Sequence, residues 1–203
     1  MRHPMADRDD LTLVHVTHFN ALFWDAGGTR TRVIEHGIVD PGERYVGDLA
    51  RAAVVINEAR RRGRVTGTDL LARFEPLDLF GIGALDLPQE RLHDAMARRR
   101  AYVHPIRWTS LGLSLLEAMH LGMPVVALGT TEVHEAVPLP AGIVSTNVDV
   151  LERGLRRLLA DPDEARERGR AARAAALARY GLARFLTDWD ALLTEVVREE
   201  ATV

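Results

Sequence analysis

The sequence contains no cysteine, no lysine and no long hydrophobic run. Without cysteine the chain forms no disulfide, offers no thiolate to a metal and has no cysteine nucleophile. No apolar segment approaches the roughly 20 residues that span a bilayer, so we expect no transmembrane segment. The first residues, MRHPMADRDDL, are too polar for a secretory signal. We therefore expect a cytoplasmic protein.

Charge of either sign is not in large excess. The chain has 26 basic residues, all of them arginine, and 29 acidic residues, which gives a formal net charge of −3. This balance provides no global attraction to nucleic acid or to anionic lipid, so we expect no nucleic-acid partner. With 203 residues, 47% hydrophobic and 27% charged, the composition is that of a globular protein with one domain of about 150 residues and an additional segment.

Short apolar strands alternate with helical patterns from Leu11 to Ser145. The predicted strands are Leu11–Thr17, Arg32–Glu35, Ala52–Asn57, Leu77–Gly81, Ala101–Pro105, Pro124–Leu128 and Ala141–Ser145. The predicted helices among them are Phe19–Asp25, Thr68–Phe74, Pro88 to about Arg99, Ser110–Leu121 and a short helix near Val133. Such alternation predicts an α/β fold with a doubly wound, parallel, Rossmann-like sheet.

Only helices are predicted after Ser145. Val148–Leu159 is amphipathic, and a second helix begins at Asp161-Pro162 and ends before Gly181. In the last helix eight apolar residues form a stripe that we expect to face the core: Leu182, Phe185, Leu186, Trp189, Leu192, Leu193, Val196 and Val197.

The segment HPIRWTSLGLSLLEAMHLGMPVVAL, from His104 to Leu128, has the pattern of a ligand site. In a doubly wound sheet ligands bind where the strands end and where helix N-termini present unpaired amides to anions. We expect the amides of Gly112, Leu113 and Ser114 to hold a diphosphate. Glu117, one to two turns into the helix, would then accept the hydroxyl hydrogens of a ribose.

This segment resembles the nucleotide-sugar-binding part of the retaining, two-Rossmann-domain glycosyltransferases. That family, which has the GT-B fold and includes glycosyltransferase family 4, shares the order of a proline, a Glu-x7-Glu motif, Glu-Ala-Met and Gly-x-Pro-Val-Val. The resemblance implies that Glu117 binds the donor ribose and that the amides of Gly112 and Leu113 face the donor phosphate or sugar. Thr109 stands where the family has its first motif glutamate, which contacts the transferred sugar.

The family also has an arginine and a lysine after the first strand of this domain. Here the run NEARRRGR precedes an apolar helix, and Thr66 takes the lysine position. Guanidinium groups bind diphosphates bidentately, so the candidates to replace the pair are Arg60, Arg61 and Arg64. By resemblance Arg61, Arg64 and Glu117 are the predicted catalytic residues. The predicted donor-binding residues are Arg60, His104, Thr109, Ser110, Gly112, Leu113, Ser114 and Glu117.

Similarity to the family extends over most of the chain and implies three parts. Residues 1–46 resemble the last β-α-β unit of the acceptor-side domain together with its hinge. Residues 47–181 resemble the nucleotide-sugar-binding domain. Residues 182–203 resemble the helix that crosses back to the acceptor-side domain. Because most of the acceptor-side domain is missing from this pattern, we expect exposed apolar surface in the first part and self-association through it. The expected partners are a nucleoside diphosphate sugar and a hydroxyl acceptor, with no further cofactor and no metal. We also expect a bacterial source.

Less specific interpretations remain open for each residue. Glu117 could be a solvated residue of an amphipathic helix, the arginine run a solvated loop, and His104 a packing residue. Capping of the following helix would fully explain Thr109 and Ser110. For the whole chain, the alternatives to a hexosyltransferase-type glycosyltransferase are a non-catalytic nucleotide-sugar-binding or interaction module and another sugar-nucleotide enzyme, such as an epimerase.

Overall fold

The computed structural model describes residues 1–200. The chain divides into two compact units: one comprises Met1–Val39 and the residues from Arg179 onward, and the other comprises Asp40–Ala178. The domain limits expected from the sequence, after residues 46 and 181, lie a few residues beyond these points. They stay predictions.

The described residues contain seven strands, eight α-helices and one 3₁₀ helix. The strands are β1 (Thr12–His15), β2 (Arg30–Val33), β3 (Leu49–Val55), β4 (Leu77–Phe80), β5 (Arg99–His104), β6 (Val125–Leu128) and β7 (Gly142–Ser145). The helices are α1 (His18–Phe23), α2 (Gly63–Thr66), α3 (Gln89–Ala97), α4 (Leu113–Leu121), α5 (Val133–Ala136), α6 (Val148–Ala160), α7 (Pro162–Arg179) and α8 (Leu182–Glu200).

The larger unit contains a parallel five-stranded sheet in the order β4-β3-β5-β6-β7. Consecutive residues of β3 and β6 are buried, which means that helices cover both faces of the sheet. Its apolar core joins these strands to α6 through Leu151, Leu155 and Leu158. The predicted α/β fold with a parallel, Rossmann-like sheet is therefore confirmed. In the smaller unit β1 and β2 form a separate parallel pair.

Three predicted helical features differ from the structure. Thr68–Phe74 is a 3₁₀ helix and not an α-helix, and the short α2 lies in the arginine-rich segment where we predicted no element. In α8 Leu192 is buried, but Leu186, Leu193 and Val197 are 51%, 54% and 64% exposed. These three side chains share one edge of the apolar stripe, because positions i, i+7 and i+11 lie within about 40° on a helix. The prediction that the whole stripe faces the core is therefore wrong for that edge.

A close backbone contact joins the start of the α4–β6 connection to α7. A Cβ added to Gly169 would lie 2.0 Å from the carbonyl oxygen of Gly122. Gly122 ends α4 in the left-handed conformation, with φ of +87°. Glycine at 169 therefore lets α7 approach the end of α4.

We expect Gly169→Ala to lower the free energy of unfolding by about 2 kcal/mol or more, because a backbone atom cannot move aside as a side chain can. Chemical denaturation followed by circular dichroism measures this change. Gly63→Ala is the matched control, since a Cβ there meets nothing within 4 Å. Equal stability of the two variants would contradict the inferred contact.

Two polar side chains are buried where β5 ends. Tyr102 and His104 are both fully buried. The Tyr102 hydroxyl lies 2.8 Å from Ser114 Oγ and 3.5 Å from His104 Nδ1. Burial raises the pKa of Tyr102 and lowers the pKa of His104 to about 4. The imidazole is therefore neutral in the folded protein at neutral pH.

Replacing His104 should change how stability depends on pH. Between its ordinary pKa of about 6.5 and its folded value of about 4, the unfolded chain binds a proton that the folded chain does not. The free energy of unfolding that His104 confers is therefore complete above about pH 6.5 and falls by about 3 kcal/mol as the pH falls to 4. Denaturation experiments at a series of pH values from 7.5 to 4 should show that the free energy of unfolding of the wild type falls by this amount relative to that of His104→Gln. A constant difference would contradict the prediction.

Candidate functional site

A set of polar side chains converges at the carboxyl edge of the five-stranded sheet. The chain leaves β3 toward β4 on one side and returns to β5 on the other, so the loops after β3 and β5 diverge and open a crevice. This cleft has a volume of about 470 Å³. Its polar lining residues are Asn57, Arg62, Thr66, Asp86, Gln89, Ser114 and Glu117.

Glu117 lies in the wall of the cleft and not on a solvated helix surface. Its side chain is only 18% exposed, and α4 is buried on most of its other positions. Glu117 Oε1 accepts a hydrogen bond of 3.0 Å from Gln89 Nε2. Glu117 Oε2 lies 3.6 Å from His93 Nε2. A carboxylate held in this way keeps lone pairs free for hydroxyl donors in the cleft.

The amino end of α4 contributes backbone to the same cleft. Gly112 is the N-cap residue in an extended conformation, and none of the described side chains caps the helix. Leu113 and Ser114 line the cleft, and the first amides of a helix have no acceptor within the helix. The structure thus brings two of the predicted amide positions, Leu113 and Ser114, to the same cleft as Glu117, while Gly112 precedes them as the N-cap residue.

Gly112 has a packing role that the sequence did not indicate. A Cβ on this residue would lie 2.4 Å from His104 Cε1. The buried imidazole therefore occupies the space beside the helix start, and His104 stands behind Gly112 and not among the residues that line the cleft. This observation favours packing as the direct role of His104.

Thr109 and Ser110 do not cap α4. The helix begins at Leu113, three residues later than the sequence indicated, with Gly112 as its N-cap residue and no side-chain cap bond. The capping interpretation of the two hydroxyls is therefore wrong. Both side chains are partly exposed, and neither is among the cleft-lining residues. A sugar contact by Thr109 or Ser110 stays a prediction.

The arginine run places a different residue at the cleft from those we expected. Arg61 bonds Glu58 at 2.8 Å and its side chain is 72% exposed, while Arg64 bonds Asp69 at 3.2 Å and is 80% exposed. Arg60 is also exposed. Arg62 is the arginine that lines the cleft. Nothing tests the predicted roles of the other three, which stay predictions.

The segment from Gly63 to Asp69, which comprises α2 and the start of the following 3₁₀ helix, is fixed against the loop that follows β5. Arg107 bonds both carboxylate oxygens of Asp69 and keeps the pKa of that carboxyl below its ordinary value. Gly67 has φ of +73°, and a Cβ there would lie 1.9 Å from the Pro105 carbonyl oxygen. This contact leaves room only for glycine. The two loops therefore form one wall of the cleft.

Thr66, at the position where the family has lysine, is built into this wall. It is 7% exposed, lines the cleft, and its hydroxyl donates to the Arg62 carbonyl oxygen at 3.1 Å. The hydroxyl is thus engaged in holding the arginine loop. It supplies no charge to an anion.

Three further groups at the cleft were missed by the sequence analysis. Arg62, Gln89 and Asp86 line it; Arg62 belongs to the arginine run but was not chosen from it, and the other two lie in no recognisable motif. Arg62 belongs to a turn in which Glu58 has φ of +53°, so no helical or strand period indicates its direction. Gln89 reaches Glu117 through the packing of α3 on α4, which sequence spacing does not reveal.

The described residues contain neither a metal-binding cluster nor a membrane-spanning helix. Within residues 1–200 no group of three or more His, Asp or Glu side chains is arranged to hold a metal ion. No helix in the same range is long and apolar enough to cross a membrane. The expectations of no metal and no further cofactor remain predictions.

Sequence comparison gives one family match. Residues 83–175 match the family described as Glycosyl transferases group 1. The matched range includes α3, β5 and α4, and therefore Gln89, His104 and Glu117. A search of curated proteins with the whole sequence finds no significant match.

Solved structures similar to this chain are glycosyltransferases of the GT-B type. Sucrose-phosphate synthase from Thermosynechococcus elongatus superposes with a TM-score of 0.77 at 19% identity, over 93% of this chain and 59% of that one. HepE from Anabaena, in complex with UDP and glucose, gives a TM-score of 0.69 at 16% identity, over 89% and 62%. A glycosyltransferase from Rickettsia africae gives 0.68 at 14% identity, over 93% and 64%.

The chain thus spans about three fifths of the length of these structures. At such identities the likeness shows the fold alone. The parallel five-stranded sheet with its helices corresponds to a Rossmann-like half of the GT-B fold, and residues 83–175 of that fold match Glycosyl transferases group 1.

Proposed function

We propose that this chain carries the donor-binding half of a retaining glycosyltransferase. The reaction is transfer of a hexosyl group from a nucleoside diphosphate sugar to a hydroxyl acceptor. The observation that carries the proposal is the position of Glu117, half-enclosed in the cleft beside the open amino end of α4. The group 1 match over residues 83–175 and the UDP and glucose bound by HepE support it.

The cleft offers a different partner to each part of the donor. The amides at Gly112, Leu113 and Ser114 and the guanidinium of Arg62 take the diphosphate, because helix N-termini and arginines both stabilise anions. Glu117 takes the ribose hydroxyls. When the sugar–phosphate bond breaks, negative charge grows on the leaving diphosphate, and the same amides and Arg62 stabilise it.

Retention of configuration places the attacking hydroxyl on the face of the sugar from which the diphosphate leaves. In this proposal the unit Asp40–Ala178 supplies no catalytic base, and the diphosphate itself is the group nearest to the acceptor hydroxyl. The acceptor binds to residues outside this unit. Among the predicted residues, Thr109 is the one assigned to the transferred sugar.

A second function, a non-catalytic nucleotide-sugar-binding module, is favoured by two observations. Thr66 is buried at the lysine position with its hydroxyl bonded to Arg62, and uncharged Thr109 replaces the first motif glutamate. Both changes remove charge from the end of the donor that reacts. Release of free sugar from UDP-glucose, GDP-mannose or ADP-glucose by the purified protein separates the two functions, since turnover with water requires the leaving diphosphate to be stabilised.

Glu117→Ala should weaken binding of one nucleoside diphosphate by about 10- to 100-fold. A hydrogen bond to a charged group contributes about 1.5–3 kcal/mol, and each 1.4 kcal/mol is tenfold in affinity. Calorimetry with UDP, GDP and ADP measures the effect and identifies the base. Glu135→Ala on α5, outside the cleft lining, is the control. If the folded wild type binds none of the three nucleotides, the donor site is disproved.

Arg62→Ala should weaken the nucleoside diphosphate about tenfold or more and leave the nucleoside unaffected, because the guanidinium contacts only the phosphates. Arg61→Ala and Arg64→Ala are matched controls from the same run, and each removes an exposed ion pair worth less than about 1 kcal/mol. Titration of each variant with diphosphate and nucleoside gives the comparison. A larger loss in either control than in Arg62→Ala would reassign the phosphate contact to that arginine.

A further inference from the structure

The carboxylate of Glu117 receives its hydrogen bond from a neighbouring helix. Gln89 is the first residue of α3, and its Nε2 donates to Glu117 Oε1 at 3.0 Å. Both residues line the cleft. This bond joins α3 to α4 at the point where the ribose is expected.

The second carboxylate oxygen faces a buried imidazole from the next turn of α3. His93 is 6% exposed, and its Nε2 lies 3.6 Å from Glu117 Oε2. Nothing within residues 1–200 forms a hydrogen bond with this nitrogen. The imidazole therefore limits how far the carboxylate can turn away from Gln89.

We propose that Gln89 is a positioning residue that orients Glu117 toward the ribose and thereby makes α3 part of ribose recognition. The inference rests on the proposed function, because it assigns the ribose to Glu117. An ionised carboxylate has about four lone-pair sites. Gln89 occupies one of them, and enough remain for the two hydroxyls of a ribose.

The benefit of this bond is orientation before the ligand arrives. A glutamate side chain loses rotamer entropy when it is ordered on binding. The bond from Gln89 restricts the carboxylate in the free protein, so less of this entropy is lost when the ribose binds. Loss of Gln89 should therefore weaken contacts with the ribose hydroxyls and spare those with the base and the phosphates.

The test compares a nucleoside diphosphate with its 2′-deoxy form. The probe is whichever of UDP, GDP and ADP the wild type binds, and the readout is the ratio of the two dissociation constants. In Gln89→Ala we expect the ribonucleotide to bind about three- to tenfold more weakly, with the deoxy form changed by less than about twofold. The ratio that expresses ribose preference should fall accordingly.

Two further variants make the result specific. Gln89→Glu places a second carboxylate against Glu117 and should lower the ratio further, since like charges repel at this distance. Glu90→Ala alters the next residue of the same helix, which is exposed and outside the cleft lining, and should leave the ratio unchanged. Circular dichroism and thermal unfolding establish that each variant is folded.

The outcomes separate this inference from the function on which it rests. If the wild type binds no nucleoside diphosphate, the proposed function fails and the inference fails with it. If the wild type binds and Glu117→Ala lowers the ratio, but Gln89→Ala weakens both nucleotides equally or neither, the donor site stands and the positioning role of Gln89 is overturned. A fall in the ratio for both variants supports the inference.

Discussion

The burial of α4 fixes the geometry of the candidate site. Six of its nine residues are buried, and burying a leucine or methionine side chain stabilises the fold by about 1.5–3 kcal/mol. Rotation of the helix would expose several of these side chains, so the direction in which Glu117 points is determined by the apolar faces around it. The contacts of α7 with the end of α4 and of His104 with its start hold the helix at both ends.

The arginines near the cleft differ in which groups they contact. The segment from Arg60 to Arg64 has four guanidinium groups, but Arg61 and Arg64 are paired with carboxylates at the surface. Asp69 bonds Arg107 as well as Arg64, so this carboxylate holds together the two loops that form the wall. Arg62 is the arginine of this segment that lines the cleft, although it is exposed as well. Of the four exposed arginines in this segment, one therefore lines the cleft and two are paired with carboxylates.

The sequence predicted the secondary-structure elements, which depend on local periodicity. It did not predict helix starts and side-chain directions that depend on tertiary packing. The alternation of strands and helices, the parallel sheet and the apolar helix around Glu117 follow from patterns of two and 3.6 residues. The start of α4 was placed too early because Thr109 and Ser110 are good N-cap residues, whereas the fold uses Gly112 beside His104. Periodicity correctly predicted an apolar face on α8. It does not show how much of that face is covered by other parts of the fold.

Within the candidate site, residues that belong to a sequence motif could be predicted, whereas residues that only contact them in space could not. Glu117 and the glycine before the helix carry a recognisable order, and the structure places Glu117 in the cleft with the helix start that follows this glycine. Gln89 could not be found in this way, because a glutamine in the first turn of a helix is common and its partner lies 28 residues away. Contacts between helices that are distant in sequence become visible only when the packing is known.

In the proposed function, nucleotide affinity and sugar transfer would depend on different groups in this cleft, and those that act on the reacting end differ more from the family pattern. In the proposed function Glu117 contacts the ribose, which alters little during the reaction, so it would stabilise the bound donor and the transition state alike. Such uniform binding raises affinity without raising the rate of the chemical step. The positions that would act on developing charge are Thr66 and Thr109, and both are neutral. In the proposed reaction Arg62 and the α4 amides would stabilise the departing diphosphate, so the balance between a transferase and a binding module depends on how much of that charge they stabilise.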